Sequence, residues 1–138
     1  MNFKEAEHIT RELMDNKIFG IIKEPGKKAR GFAIENELRA MQKAVDGYIE
    51  TVPVTENVRL VCNEEGKQLG MEHNFFLDVD GMAVKFAAEP GSNTVDEIVG
   101  PALFLQLDWS TGEFECMDID VMGELLNQLW ALRARRAK

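Results

Sequence analysis

A chain of 138 residues, 45% of them apolar, has the size and make-up of one ordinary folded domain that needs no metal or disulfide staple. Its net charge of −8 argues against a general nucleic-acid binder. No apolar run approaches the ~20 residues of a bilayer span, and the charged start MNFKEAEHIT lacks the apolar core of a signal peptide, so a cytoplasmic location and no membrane partner are expected.

The first element expected is a helix over residues 3–16, with Phe3, Ala6, Ile9, Thr10, Leu13 and Met14 on one face. IFGII (Ile18 to Ile22) reads as a short strand, and KEPGKKARG (Lys23 to Gly31) as a basic loop punctuated by Pro25-Gly26. Ile34, Leu38, Met41 and Val45 follow helical spacing, which predicts a helix from Ile34 to Asp46, stopped by Gly47. Three hairpins are expected next. YIETVPV and VRLVC flank Thr55-Glu56-Asn57, with Pro53 placing its strand at an edge or bend. FFLDV and MAVKF flank an Asp80-Gly81 turn. EPGSNTVDE reads as a polar loop, after which ALFLQLD and EFECM flank Trp109 to Gly112. From about Val121 a closing helix carries a broad apolar stripe of Val121, Met122, Leu125, Leu126, Leu129, Trp130 and Leu132, expected to pack on the sheet. The basic end, Arg133, Arg135, Arg136 and Lys138, is expected to fray. The order of elements predicts a single α+β domain over residues 1–138, a largely antiparallel hairpin sheet packed by helices.

The stretch VCNEEGKQLG concentrates charge and glycine among apolar residues. Asn63-Glu64-Glu65-Gly66 fits a type I turn with Gly66 in the left-handed region, which would close a hairpin and account for all four residue types without catalysis.

GYIETVPV, VRLVCNEEGKQLG and IVGP ahead of an apolar strand resemble an uncharacterised family, domain of unknown function 3846, as does the helix IENELRAMQKAVDG before GYIE. The resemblance spans residues 17–118 and leaves flanking helices over 1–16 and 121–138. The chain departs from the family pattern after Gly70, where Met71-Glu72-His73-Asn74 contains no proline. The resemblance implies an accessory protein of a phage, plasmid or other mobile element, a context in which such proteins often bind host machinery. It implies no activity.

Catalytic chemistry finds little support. Neither Ser92 nor Ser110 sits in a nucleophile elbow. Cys62 alternates with core residues, so pairing it with His73 as nucleophile and base is disfavoured. Cys62 and Cys116 both read as small buried hydrophobes in a reducing compartment. Asp78 and Asp80 do not make a calcium loop. Asp120, or Asp118, reads as the cap of the last helix, and no histidine stands beside the pair to complete a metal site. There is no glycine-rich phosphate loop. No enzyme activity, metal or cofactor is expected.

Charge distribution is more informative. From Phe86 to Leu132 there is no Lys or Arg, while the segment holds nine acids: Glu89, Asp96, Glu97, Asp108, Glu113, Glu115, Asp118, Asp120 and Glu124. The expected function is protein–protein binding, with Glu97, Asp108, Glu113, Glu115, Asp118 and Asp120 meeting a basic protein partner, such as the phosphate-binding groove of a host nucleic-acid enzyme that the chain would inhibit. The alternative is a binder of a small anionic ligand such as a nucleotide, gripped by Lys27, Lys28 and Arg30.

Overall fold

The computed structural model of the protein describes residues 16–136. The chain order is β1 (Lys17–Lys23), β2 (Arg30–Glu35), α1 (Leu38–Val45), β3 (Ile49–Pro53), β4 (Val58–Asn63), β5 (His73–Asp80), β6 (Ala83–Ala87), β7 (Thr94–Val99), β8 (Ala102–Asp108), β9 (Glu113–Glu115) and α2 (Ile119–Arg136). ALFLQLD, apolar on both faces, forms β8, the middle strand of a sheet ordered β2-β1-β8-β4-β3, with β9 beside the outer half of β8. A second sheet is ordered β6-β5-β7, and every pairing in both sheets is antiparallel. This is an α+β fold.

Strand alternation explains the layering. Leu60, Cys62, Ala102 and Phe104 point to one side of the large sheet, where they meet Phe75, Leu77 and Ile98 of the small sheet and Leu125, Leu129 and Leu132 of α2. Val61, Leu103 and Leu105 point to the other side, against Met41 and Val45 of α1. The large sheet is thus buried on both faces, and each fully buried Leu, Ile or Phe side chain contributes roughly 1.5–3 kcal/mol. Pro53 lies in β3, at a sheet edge, as its missing donor requires.

Several expectations need correction. The helix expected over residues 3–16 lies outside the described residues, apart from its last residue. The helix expected from Ile34 begins only at Leu38, because Ile34 is an inward-facing residue of β2, paired with Ile18, and Leu38 is exposed. The helical spacing from Ile34 to Leu38 was therefore coincidental. Asp46 rather than Gly47 takes the left-handed position that ends α1 (φ 61°). EPGSNTVDE runs into a strand, β7, because the charges of Asp96 and Glu97 are met by Lys67 and His73. The two-residue turn after β5 is Gly81-Met82, with Asp80 paired to Ala83, and only Gly81 has positive φ (64°). Glycine first is the pattern of a type II′ turn. Cys62 is buried but Cys116 is exposed.

The reading of VCNEEGKQLG as a hairpin corner is also overturned. The Gly66 N–H does donate to the Asn63 carbonyl (3.3 Å), and Asn63 Oδ1 accepts from the Glu65 N–H (2.7 Å), so the turn begins as expected. It then coils onward instead of doubling back. Met71 N–H donates to the Gly66 carbonyl and Gly70 N–H to the Lys67 carbonyl, with Gly70 at φ 69°, which is the pattern that closes a helical turn with a left-handed residue. Gly66 has no positive φ. A Cβ there would lie 2.8 Å from Val99 Cγ2, so close packing explains the glycine. The segment carries the chain from the large sheet to the small one, and Gly100-Pro101 carries it back. At that junction Asn74 Nδ2 donates to the carbonyls of Lys23 (2.7 Å) and Gly100 (2.9 Å), tying the sheets together.

Candidate functional site

The β8–β9 hairpin assembles most of the acids. Asp108 and Glu113 face each other across the ladder, and Glu115 faces Gln106. Gln106, only 6% exposed, donates Nε2 to Glu115 (3.2 Å) and accepts the Asp118 N–H on Oε1 (3.0 Å), which sets Asp118 next to Glu115 at the start of α2, two residues before Asp120. Like charges opposed in a ladder are locally destabilising. The Ser110 hydroxyl and backbone N–H both donate to Asp108 (2.7 and 2.9 Å) and hold its carboxyl below the ordinary range, hydroxyl first. Among the described residues none of these five carboxylates is in an ion pair. Glu97 is not part of this cluster. It sits on β7 in the other sheet, with its carboxylate 2.6 Å from His73 Nδ1.

Beside the acids lies a second feature. A groove of about 790 Å³ runs between α2 and β6, lined by Val84 and Phe86 on one side and Val121 and Leu125 on the other, with Val54 and Val58 among its other apolar lining. Its charged lining is Glu56, Glu124 and Lys85, and Lys85 is 3.5 Å from Asp80. Trp109, at the tip of the acidic hairpin, donates Nε1 to the Glu56 carbonyl (3.0 Å), so the acids adjoin one end of the groove. Met82, in its lining, is fully exposed, and Trp109, beside Glu56, is 61% exposed. The signal in the sequence was the width of the α2 stripe. Leu125, Leu129 and Leu132 are buried, whereas Val121 and Leu126 are only half-buried, so the stripe is wider than the core can cover.

The basic loop is structured by its own contacts. Glu24 lies 3.2 Å from Arg30 and 3.8 Å from Lys27, Lys28 Nζ sits 4.2 Å over the Trp130 ring, and Trp130 Nε1 donates to the Ala29 carbonyl (2.7 Å). The structure therefore does not converge Lys27, Lys28 and Arg30 on one point. Of the three, only Lys27 lines a cleft of about 360 Å³ that also involves Lys23, His73, Asn74, Phe76, Glu89 and Glu97. Lys23 is 5% exposed and donates to Asn74 Oδ1 and the Glu24 carbonyl, both at 2.9 Å.

Cys62 is buried. Burial pushes its thiol up to about 11, and the Glu50 and Asp96 carboxylates add to the shift. Asp118 and Asp120 have no metal-binding companions, since among the described residues no group of three or more His, Cys, Asp or Glu is placed to hold a metal ion. Among the same residues no helix is long and apolar enough to cross a membrane.

No curated protein and no solved structure matches this chain. One family model does, over residues 17–129, a span that takes in both sheets, α1, the acidic hairpin and most of the groove-lining part of α2. The chain belongs to the family described as a domain of unknown function (DUF3846).

Proposed function

We propose that this chain is a small cytoplasmic binding protein of a phage or other mobile element, which acts by holding a basic, amphipathic segment of a protein partner and catalyses no reaction. The groove between α2 and β6 takes the apolar face of that segment. Asp108, Glu113, Glu115, Asp118 and Asp120 meet its lysines and arginines. A nucleic-acid enzyme whose phosphate-binding surface is basic is a partner of the right chemistry, and occupying that surface would inhibit it. The observation that carries the reading is the adjacency of an open apolar groove to five carboxylates free of ion pairs among the described residues. Apolar anchors give affinity at such a surface, and the surrounding charge sets partner choice and the speed of encounter.

Panning a random peptide library against the full chain tests this. The enriched peptides should combine Lys or Arg with large apolar residues, and they should be lost when Val121→Arg closes the groove. Enrichment of acidic or neutral peptides, or binding indifferent to Val121→Arg in a folded variant, would refute it.

A further inference from the structure

We propose that β2 is a dimerisation edge. It pairs antiparallel with β2 of a second copy of this chain, with Ala33 facing Ala33 on a two-fold axis, and joins the two large sheets into one. The surface is separate from the partner groove, whose lining includes no β2 residue.

The backbone sets which groups are open. β2 ends the order β2-β1-β8-β4-β3, so among the described residues no strand pairs with its outer side. The Asn36 N–H donates to the carbonyl of Asn16 (2.7 Å), which marks that opposed pair as hydrogen-bonded. Such pairs alternate along an antiparallel ladder. Arg30, Phe32 and Ile34 therefore aim their N–H and C=O groups at β1, and Gly31, Ala33 and Glu35 aim theirs outward. Among the described residues only one of these outward backbone groups is engaged, the Glu35 carbonyl, which accepts from the Glu37 N–H (2.8 Å). Edge strands are normally blunted by proline or by charge along the strand. β3, at the other edge, has Pro53, whereas β2 carries charge only at its ends, Arg30 and Glu35.

Side chains fix the occupant and the register. An outward-facing residue pairs only with another outward-facing one, so the two-fold passes through a single residue. Placed on Ala33, it sets Phe32 opposite Ile34 of the second copy on the α1 side, and extends the cluster of Ile18, Ile22 and Ile34 across the seam. On the other side Phe19, 44% exposed and opposite Ala33 in β1, flanks the two alanines from either copy. An axis on Phe32 would oppose Arg30 to the buried Ile34, and one on Ile34 would oppose Phe32 to Asn36. Charge agrees with the antiparallel sense. One end of β2 carries Lys27, Lys28 and Arg30 against Glu24. The other carries Glu35 and Glu37, and Asn36 Nδ2 donates to the Phe114 carbonyl (2.8 Å), which brings Glu113 and Glu115 to the same end. The cations there are Lys17, which faces Glu35 across β1 and β2, and Arg39 and Lys43 on α1. Antiparallel pairing lays the basic end of each copy on the acidic end of the other, with Arg30 opposite Asn36, whereas parallel pairing would set like against like. A two-fold contact of this kind closes at two copies.

Sedimentation equilibrium of the full chain tests this. The parent, 15.6 kDa per copy, should run as a dimer at micromolar concentration. Ala33→Lys changes a residue that is exposed in the single copy and sets like charges against each other on the axis. With the parent's circular dichroism spectrum, it should run as a monomer at the same concentration. Crosslinking in a Cys116→Ser background, which removes the exposed native thiol, reads the register. Opposed hydrogen-bonded residues stand about 5.5 Å apart at Cα, within disulfide reach, so Ala33→Cys should oxidise to a covalent dimer. Glu35→Cys should not, because the register sets its two copies four residues apart along the seam, roughly 13 Å. A parent that stays monomeric, a dimer that survives in Ala33→Lys, or equal crosslinking at positions 33 and 35 would each overturn the proposal.

Discussion

Asn63 ties the end of α1 to the turn that follows β4, and its replacement is a sharp test of the fold. Its side chain is 6% exposed. Nδ2 donates to the carbonyls of Val45 (3.1 Å) and Asp46 (3.0 Å), the last turn of α1, and Oδ1 accepts from the Glu65 N–H (2.7 Å) at the start of the helical turn. A neutral hydrogen bond contributes about 1 kcal/mol net, and a buried partner left unsatisfied costs about 1–3 kcal/mol. Three bonds are lost in Asn63→Ala, but water can reach the partly exposed groups around Asp46 and Glu65. The expected loss is therefore about 2–4 kcal/mol. Asn63→Asp should cost at least as much, since it keeps the acceptor but sets a carboxylate against two carbonyls. Glu64→Ala, at an exposed position next door, should change stability by less than about 0.5 kcal/mol. Urea unfolding followed by far-ultraviolet circular dichroism, with an unchanged slope against denaturant, reads all three. An Asn63→Ala variant within about 0.5 kcal/mol of the parent would refute the reasoning.

Gly66→Val should destabilise by about 1–3 kcal/mol through overlap with Val99, measured by the same unfolding assay. Leu129→Ala removes a side chain that is 1% exposed and should cost about 2–5 kcal/mol; a melting temperature equal to the parent's would mean that α2 does not close the core. Thiol titration with an aromatic disulfide at pH 8 should find Cys116 reacting at once and Cys62 only on unfolding. The raised thiol also has a sign in stability. An unfolded cysteine loses its proton near ~8.5, so the contribution of neutral, buried Cys62 is complete below that pH. It is lost as pH rises toward its folded value of about 11, and unfolding free energy measured from pH 8 upward should fall over that window, less so in Cys62→Ala.

Much of the fold was legible because its signals are local. Alternation marked β4 and β8, Pro53 marked an edge, and the Trp109 to Gly112 turn marked the last hairpin. β2 was hidden because Ile34 happens to stand four residues before Leu38, and β7 because Asp96-Glu97 looks like loop composition until Lys67 and His73 are brought to it. NEEGKQLG and IVGP carried the family resemblance, and both sit where the chain changes sheets. Their residue types answer to Asn63, Gly66, Gly70 and Gly100 holding those crossings. The acids were visible as residues but not as a surface. Glu97 and Asp108 are close in sequence, yet Gly100-Pro101 puts them in different sheets. The groove needs β6 and α2 side by side, a pairing that no local pattern encodes.

The central claim is that carboxylates around an apolar groove bind a basic partner segment. The most direct measurement is the affinity of the tightest library-selected peptide, by calorimetry across a series of salt concentrations. The parent is compared with a variant carrying Asp108→Asn, Glu113→Gln, Glu115→Gln, Asp118→Asn and Asp120→Asn. The account predicts that affinity for the parent falls steeply with salt, and that the variant binds more weakly with a shallower dependence. Equal affinity and equal salt dependence in the two proteins would contradict it.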